Sequence, residues 1–325
     1  LLNPYMRAIE VVGRERDAES LWKWLHSSKP IAIRTLTGRA GAGKTRAAIE
    51  LIARLNIEEP GKWWAGFVRG DELRRFAGNQ SLAEWNWARP TLVVVDYAAS
   101  LTEPLRKWLR DLADNANRAT NRPLRLLLLE REAAANAGWM DFLCAGGQSE
   151  ASIPELFDPL EPTRLDTLDT AGKRREVLAA MLGTVAKHAR RPEPKLPAAG
   201  ENPRFDRQLE SAVWEDPLYL MMAALLWIQF DLVEVLALPR TELASKLVGH
   251  EIKRIVEGAT SRDIETLLKD VTAFAALGNG LSHEKALAIA RLESDALQIQ
   301  YPNGVGALVA KLHDVLPAPE RGIAP

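Results

Sequence analysis

The stretch Gly38-Arg39-Ala40-Gly41-Ala42-Gly43-Lys44-Thr45 satisfies the pattern Gly-x4-Gly-Lys-Thr, in which a glycine-rich loop wraps a polyphosphate. Each position has a physical job. The glycines let the backbone take conformations closed to other residues and turn its N–H groups inward. A helix starting at Lys44 adds its positive N-terminal end, and the Lys44 ammonium brings a full charge to the β and γ phosphates. The Thr45 hydroxyl suits a magnesium ion. A match of this kind means something only between a strand and a helix. Here Ile31 to Thr37 is a short β-branched run, and Lys44 to Leu55 carries apolar residues at a helical period. Gly38, Ala40, Gly41, Ala42, Gly43, Lys44, Thr45 and Arg46 are therefore the candidate nucleotide-binding residues.

Moving outward, Leu92-Val93-Val94-Val95-Asp96 reads as a buried strand ending in a carboxylate. Ligands of parallel sheets gather at the carboxyl ends of the strands, so Asp96 is expected to face the same crevice and hold magnesium through water. A helix-capping Asp is the alternative. Tyr97, Ala98 and Ala99 follow, and no acid stands within three residues of Asp96 to polarise a water, so slow hydrolysis is expected. Glu103 substitutes only if the intervening turn folds back. Leu124 to Leu129 reads as a further, fully apolar strand, ending in Glu130-Arg131-Glu132. A cation at Arg131 can reach the γ-phosphate, while a surface salt-bridge cluster fits the same spacing.

The flanking pattern alternates strands with helices, which argues for a parallel α/β sheet covered on both faces. Ala18, Leu21, Trp22 and Leu25 lie on one face of a helix expected to cover a sheet edge, and Trp64 to Val68 and Glu155 to Leu160 are expected strands. Leu105, Trp108, Leu109 and Leu112 form another helix face, with Pro104 in its first turn. Past about residue 165 the pattern is helical only. Leu178, Met181, Leu182 and Val185 share a face, and Leu218 to Val235 reads as one strongly apolar helix. The proline-rich stretch Arg191 to Pro203 separates them as a loop. Three domains are expected: residues 1–165 as the nucleotide-binding sheet, 166–240 as a helical subdomain and 241–325 as a further small helical one.

Composition bounds the function. The chain has 325 residues, 47% hydrophobic and 26% charged, which is ordinary for a globular protein of more than one domain. A net charge of -1 provides no global attraction for nucleic acid or acidic membranes. The apolar run Leu218 to Ile228 is too short to span a bilayer. The lone Cys144 excludes an internal disulfide and points to a reducing cytoplasm. The first residue is Leu1, so a fragment of a longer protein is expected, with signal-reading and output domains outside it. Ten tryptophans, among them Trp63, Trp64, Trp85 and Trp87, fit core packing and sheet-edge cover better than a contact surface.

Together these residues resemble the bacterial STAND class of signal-transduction ATPases, relatives of the NACHT and NB-ARC switch proteins. Val12-Gly13-Arg14-Glu15 is similar to the family's segment before the first strand, which implies that Gly13 and Arg14 pack near adenine. Val94-Val95-Asp96-Tyr97-Ala98 is similar to its acid strand, with Ala99 where bacterial members often carry Glu. Leu128-Leu129-Glu130-Arg131 is similar to its first sensor strand, which implies Arg131 as a γ-phosphate sensor. Trp214-Glu215-Asp216-Pro217-Leu218 sits where the family places a base-touching proline, which implies Pro217. Residues from about Thr241 are similar in order to a winged-helix-like subdomain, and Leu312-His313-Asp314 resembles an ADP-sensing triplet, although a capped surface helix fits those three residues better. The resemblance implies ATP or ADP with Mg2+ as ligands, Lys44, Asp96 and Arg131 in slow turnover, and a homo-oligomer when activated.

Two other classes fit the same motifs. An initiator- or loader-type DNA ATPase also joins a Gly-Arg-Glu segment, a P-loop domain and a winged helix, but its DNA-reading helix needs a basic face. Ser282 to Leu292 carries Lys285 and Arg291 against Glu284, so nucleic acid is not the expected partner. A non-hydrolysing scaffold that uses ADP as structural glue fits the missing second acid.

Overall fold

In this computed structural model, residues 12–79, 87–114, 122–145, 153–278 and 280–324 are described; Trp85 lies outside them. The chain falls into two compact units, Leu1–Arg240 and Thr241–Pro325.

The first unit is built on a five-stranded parallel sheet of order β2-β3-β4-β1-β5. In chain order, α1 (Glu15–Leu25) leads to β1 (Ile31–Thr37), α2 (Lys44–Glu58), β2 (Trp64–Phe67), α3 (Gly70–Asn79), β3 (Thr91–Asp96), α4 (Thr102–Asp114), β4 (Leu124–Glu130), α5 (Gly138–Cys144) and β5 (Thr163–Arg164). Strand alternation sends successive side chains to opposite faces. Ile31, Ile33, Leu124, Leu126 and Leu128 therefore pack on one face, with Leu105, Trp108 and Leu109 of α4 and Met140 and Leu143 of α5. Ala32, Leu36, Leu92, Val94, Leu127 and Leu129 pack on the other, with Leu21, Trp24 and Leu25 of α1 and Ala48, Leu51 and Leu55 of α2. This is the three-layer arrangement that near-continuous apolar strands require.

Three sequence expectations about the sheet and its cover change in detail. The fifth strand is Thr163–Arg164 on the open side of β1, not residues 155–160. Ile153, Leu156 and Phe157 are buried at helical spacing, and Ile153–Leu156 is a 3-10 turn that leaves only a single bridge from Phe157 to Ile33. Pro154 and Pro159 each lack the N–H that a ladder needs. Helix α1 lies over a face of the sheet rather than an edge. Strand β4 is not wholly apolar, because Arg125 is fully buried within it and donates to the carbonyls of Leu25, Lys29, Leu124 and Ser27 at 2.8, 3.0, 3.0 and 2.7 Å. Burial lowers its guanidinium to a pKa of about 10, partly offset by Asp158.

The rest of the first unit is helical: α6 (Ala171–Ala189), α7 (Pro203–Leu209), α8 (Pro217–Leu226) and α9 (Leu232–Leu236). The apolar run from Leu218 is thus two helices. Asp231 starts the second by accepting from the N–H groups of Val233 and Glu234 at 2.9 and 3.3 Å, as an N-cap does.

The second unit holds α10 (Arg240–Val256), which begins at the boundary residue, then α11 (Arg262–Leu277), α12 (His283–Leu297) and α13 (Gly304–Val315). Leu267, Leu268, Val271, Ala286, Ala290, Leu308 and Leu312 form its core. Isolated antiparallel bridges join Leu281 and Pro317 to Ile323.

Candidate functional site

Parallel register sets the site. Asp96 pairs with Leu129 and Thr37 with Glu130, so the ends of β3, β4 and β1 finish in one row. The loop leaving β1 stays on that row, with the Gly38 N–H donating to the Arg131 carbonyl at 3.2 Å. Gly41 and Gly43 have φ of 87° and 97°, the left-handed backbone that favours glycine, and Gly43 stands at the N-cap of α2. The N-terminal N–H groups of α2 are consequently aimed at the space above the strand ends.

Two side chains close the cradle. The Lys44 ammonium donates to the carbonyls of Gly38 at 2.6 Å and Arg39 at 3.1 Å. Burial pushes it below its ordinary pKa; Asp96 and Glu130 pull it back, Arg131 lowers it further and Asp216 raises it. Those neighbours mark the charges gathered around one cation. The Thr45 hydroxyl donates to Asp96 Oδ2 at 2.8 Å, while Asp96 Oδ1 accepts from the Tyr97 N–H at 3.0 Å. A hydroxyl and a carboxylate in contact are hard oxygen donors of the kind Mg2+ takes, alongside water and phosphate oxygens. Among the described residues no cluster of three or more His, Cys, Asp or Glu is placed to hold a metal; the Thr45 and Asp96 oxygens are the pair that could share a magnesium ion with a polyphosphate.

The other sequence candidates reach the loop in different ways. Arg14 donates to the Ala42 carbonyl at 3.0 Å, to the Asp166 carbonyl and to Asp17 at 3.3 Å, so its guanidinium braces the loop from outside. Gly13, at φ 74°, lies against Val177 of α6. Ala40 is exposed at the tip. Arg46 is paired with Glu50 one turn on, at 2.6 Å. Pro217 opens α8, and its neighbour Leu218 presses on the loop so closely that a Cβ on Gly41 would meet Leu218 Cβ at 2.9 Å. Arg39 reaches Glu215 at 3.5 Å beside it. Glu103 stands exposed in the first turn of α4. In the second unit, the His313 Nδ1–H donates to the Gly322 carbonyl at 2.7 Å, which ties that ring to its own unit.

Sequence reasoning passed over two acids here. Glu130 folds back over the strand ends, accepting from the Ala99 N–H at 3.0 Å and the Arg131 N–H at 2.7 Å. Asp216 is fully buried and pairs with Arg240 at 2.9 Å. The available signal for Glu130 was its position one residue past an apolar strand beside the acid strand; nothing local announced Asp216.

A parallel sheet with this loop between its first strand and first helix, and an acid at the end of β3, is one architecture. The fold is that of a P-loop NTPase. No family model matches the chain, and no curated protein matches it. Among solved structures it is similar to the Aeropyrum pernix ORC2 protein in ADPNP and ADP complexes (TM-score 0.44, 15% identity, 97% of this chain and 91% of that one). It is also similar to domain III of the Thermotoga maritima replication initiation protein DnaA (0.44, 10%, 81% and 93%), and to the Aeropyrum pernix ORC1 protein in complex with DNA (0.38, 13%, 94% and 84%). Among the described residues no helix is long and apolar enough to cross a membrane.

Proposed function

We propose that the chain binds ATP or ADP with Mg2+ in the loop at Gly38 to Thr45, hydrolyses ATP slowly, and serves as a STAND-type switch governing oligomerisation and signalling of a larger protein. The observation that carries the reading is the 2.8 Å contact from Thr45 to Asp96 beneath Lys44. Bound Mg2+ neutralises charge on the phosphates. Lys44 releases the Gly38 and Arg39 carbonyls to meet the β and γ oxygens, and Arg131, next to it, responds to the γ group. Gly13, Arg14 and Pro217 line the side from which a base enters.

The switching half of the reading is supported by the close seat of Leu218 and Glu215 on the loop. A phosphate that reshapes the loop must move the start of α8 or strain against it, and a ligand shifts an equilibrium only by such differential contacts. Helix α12 carries Lys285 and Arg291 against Glu284, Glu293 and Asp295, a mixed charge that favours the switch reading over a DNA-handling one. Salt-dependent retention on duplex DNA would favour an initiator-type role instead.

Calorimetric titration of the intact chain with Mg-ATP tests the site. Lys44→Ala should weaken binding at least a hundredfold, and undiminished affinity would remove the assignment.

A further inference from the structure

The cradle needs a group that takes a proton from the attacking water, and Asp96, in contact with the Thr45 hydroxyl, is the acid proposed as the magnesium partner. Its two oxygens are held by Thr45 and by the Tyr97 N–H. Three carboxylates lie nearest: Asp96 and Glu130 end neighbouring strands in the row where β1, β3 and β4 finish, and Asp216 stands two residues before Leu218, which covers Gly41. Asp216 is fully buried in an ion pair with Arg240. Glu130 remains. It is partly exposed at the row where β1, β3 and β4 end, one residue past the partner of Asp96.

Glu130 is also oriented for the task. One oxygen accepts from the Ala99 N–H just beyond the acid strand, and the other from its own neighbour, the Arg131 N–H. A carboxylate has about four acceptor positions, so two backbone donors fix its plane and leave lone pairs for a water. Preorganisation of this kind is what a general base requires. The resulting geometry bridges β4 and the turn after β3, a place where sequence spacing offers no acid.

We infer that Glu130 is the catalytic base of ATP hydrolysis in this chain, an inference that rests on the nucleotide reading of the loop. The oxygen of a water forms a bond to the γ phosphorus as the bond from that phosphorus to the β–γ bridging oxygen breaks. The bond's electron pair leaves with ADP, and the water's proton passes to a Glu130 oxygen, from which it returns to solvent. The products are ADP and inorganic phosphate, with no redox change.

The test uses the intact chain with Glu130→Gln, a nearly isosteric change, and Glu132→Gln as a control on the exposed side of the same segment. Mg-ATP affinity is read by calorimetry, the bound nucleotide is identified by chromatography, and conversion is followed in a single turnover. Glu130→Gln should hold ATP within about threefold of the unsubstituted affinity, retain it as ATP, and convert it at least a hundredfold more slowly, within the range for loss of a general base. Glu132→Gln should behave as the parent.

The inference is overturned if Glu130→Gln converts ATP within tenfold of the parent, or if affinity falls in parallel with rate, the mark of a structural clamp. It is equally overturned if Glu132→Gln slows conversion as much, or if the parent binds ATP and never converts it. Failure of the parent to bind ATP, or full affinity in Lys44→Ala, instead sinks the nucleotide reading itself and the base with it.

Discussion

Arg125→Met separates the stability of the sheet from the chemistry at its far end. Arg125 lies near the start of β4, opposite the strand ends that carry the site, and its fully buried guanidinium gathers the carbonyls where α1 hands over to β1. Methionine keeps much of the stem volume but donates nothing. The carbonyls of Leu25, Ser27 and Lys29 then lose a charged donor, and an unsatisfied buried acceptor costs about 1–3 kcal/mol. Removing the desolvation cost that holds the guanidinium near a pKa of about 10 returns part of this. The losses are not additive, so about 3–5 kcal/mol is expected, in the class of broken buried networks. For a unit of this size that is a drop in Tm of roughly 6–20 °C. Chemical denaturation with the slope unchanged gives the free energy, and calorimetric titration at 20 °C should find Mg-ATP affinity within about twofold of the parent. A loss below about 1 kcal/mol would refute the carbonyl-gathering role. A large loss of affinity in a folded variant would refute the independence of the two ends.

Further outcomes follow from the site and from the one thiol. Arg131→Ala should weaken ATP about tenfold while leaving ADP affinity near the parent value, and equal losses for both nucleotides would remove its role at the γ group. Gly41→Ala places a Cβ 2.9 Å from that of Leu218 at φ 87°, so a stability loss of about 1–3 kcal/mol together with weakened nucleotide binding is expected; an unchanged melting curve would contradict the tight seat of α8 on the loop. Burial and Asp141 push the Cys144 thiol up to about 11 from its ordinary 9.0. The folded state therefore keeps its proton through the interval from pH 9 to 11, the corresponding stability is full below that window and lost as pH rises through it, and iodoacetamide at pH 8 should label the folded chain about a hundredfold more slowly than the unfolded one.

Local chemistry made much of this molecule legible from residues alone. The loop, its strand and its helix follow from glycines, a β-branched run and a 3.6-residue period within one short stretch, and Val93 to Asp96 announces a buried strand with an acid at its end. Where an element is apolar all round, periodicity falls silent, and the break after Leu226 went unread although Asp231 was a fair N-cap signal.

Tertiary structure decided what depends on partners distant in sequence. Two residues make no pattern, so Thr163–Arg164 becomes a strand only because β1 has an open edge to pair with. Arg14 braces Ala42, Leu218 covers Gly41 and Glu130 bends to Ala99 because the sheet's register sets strand ends side by side. A period shows which face a residue occupies; only packing chooses which other face it meets. For that reason the glycine-rich loop between its strand and helix could be read along the chain, while the seat of Glu130 beside it needed the folded sheet.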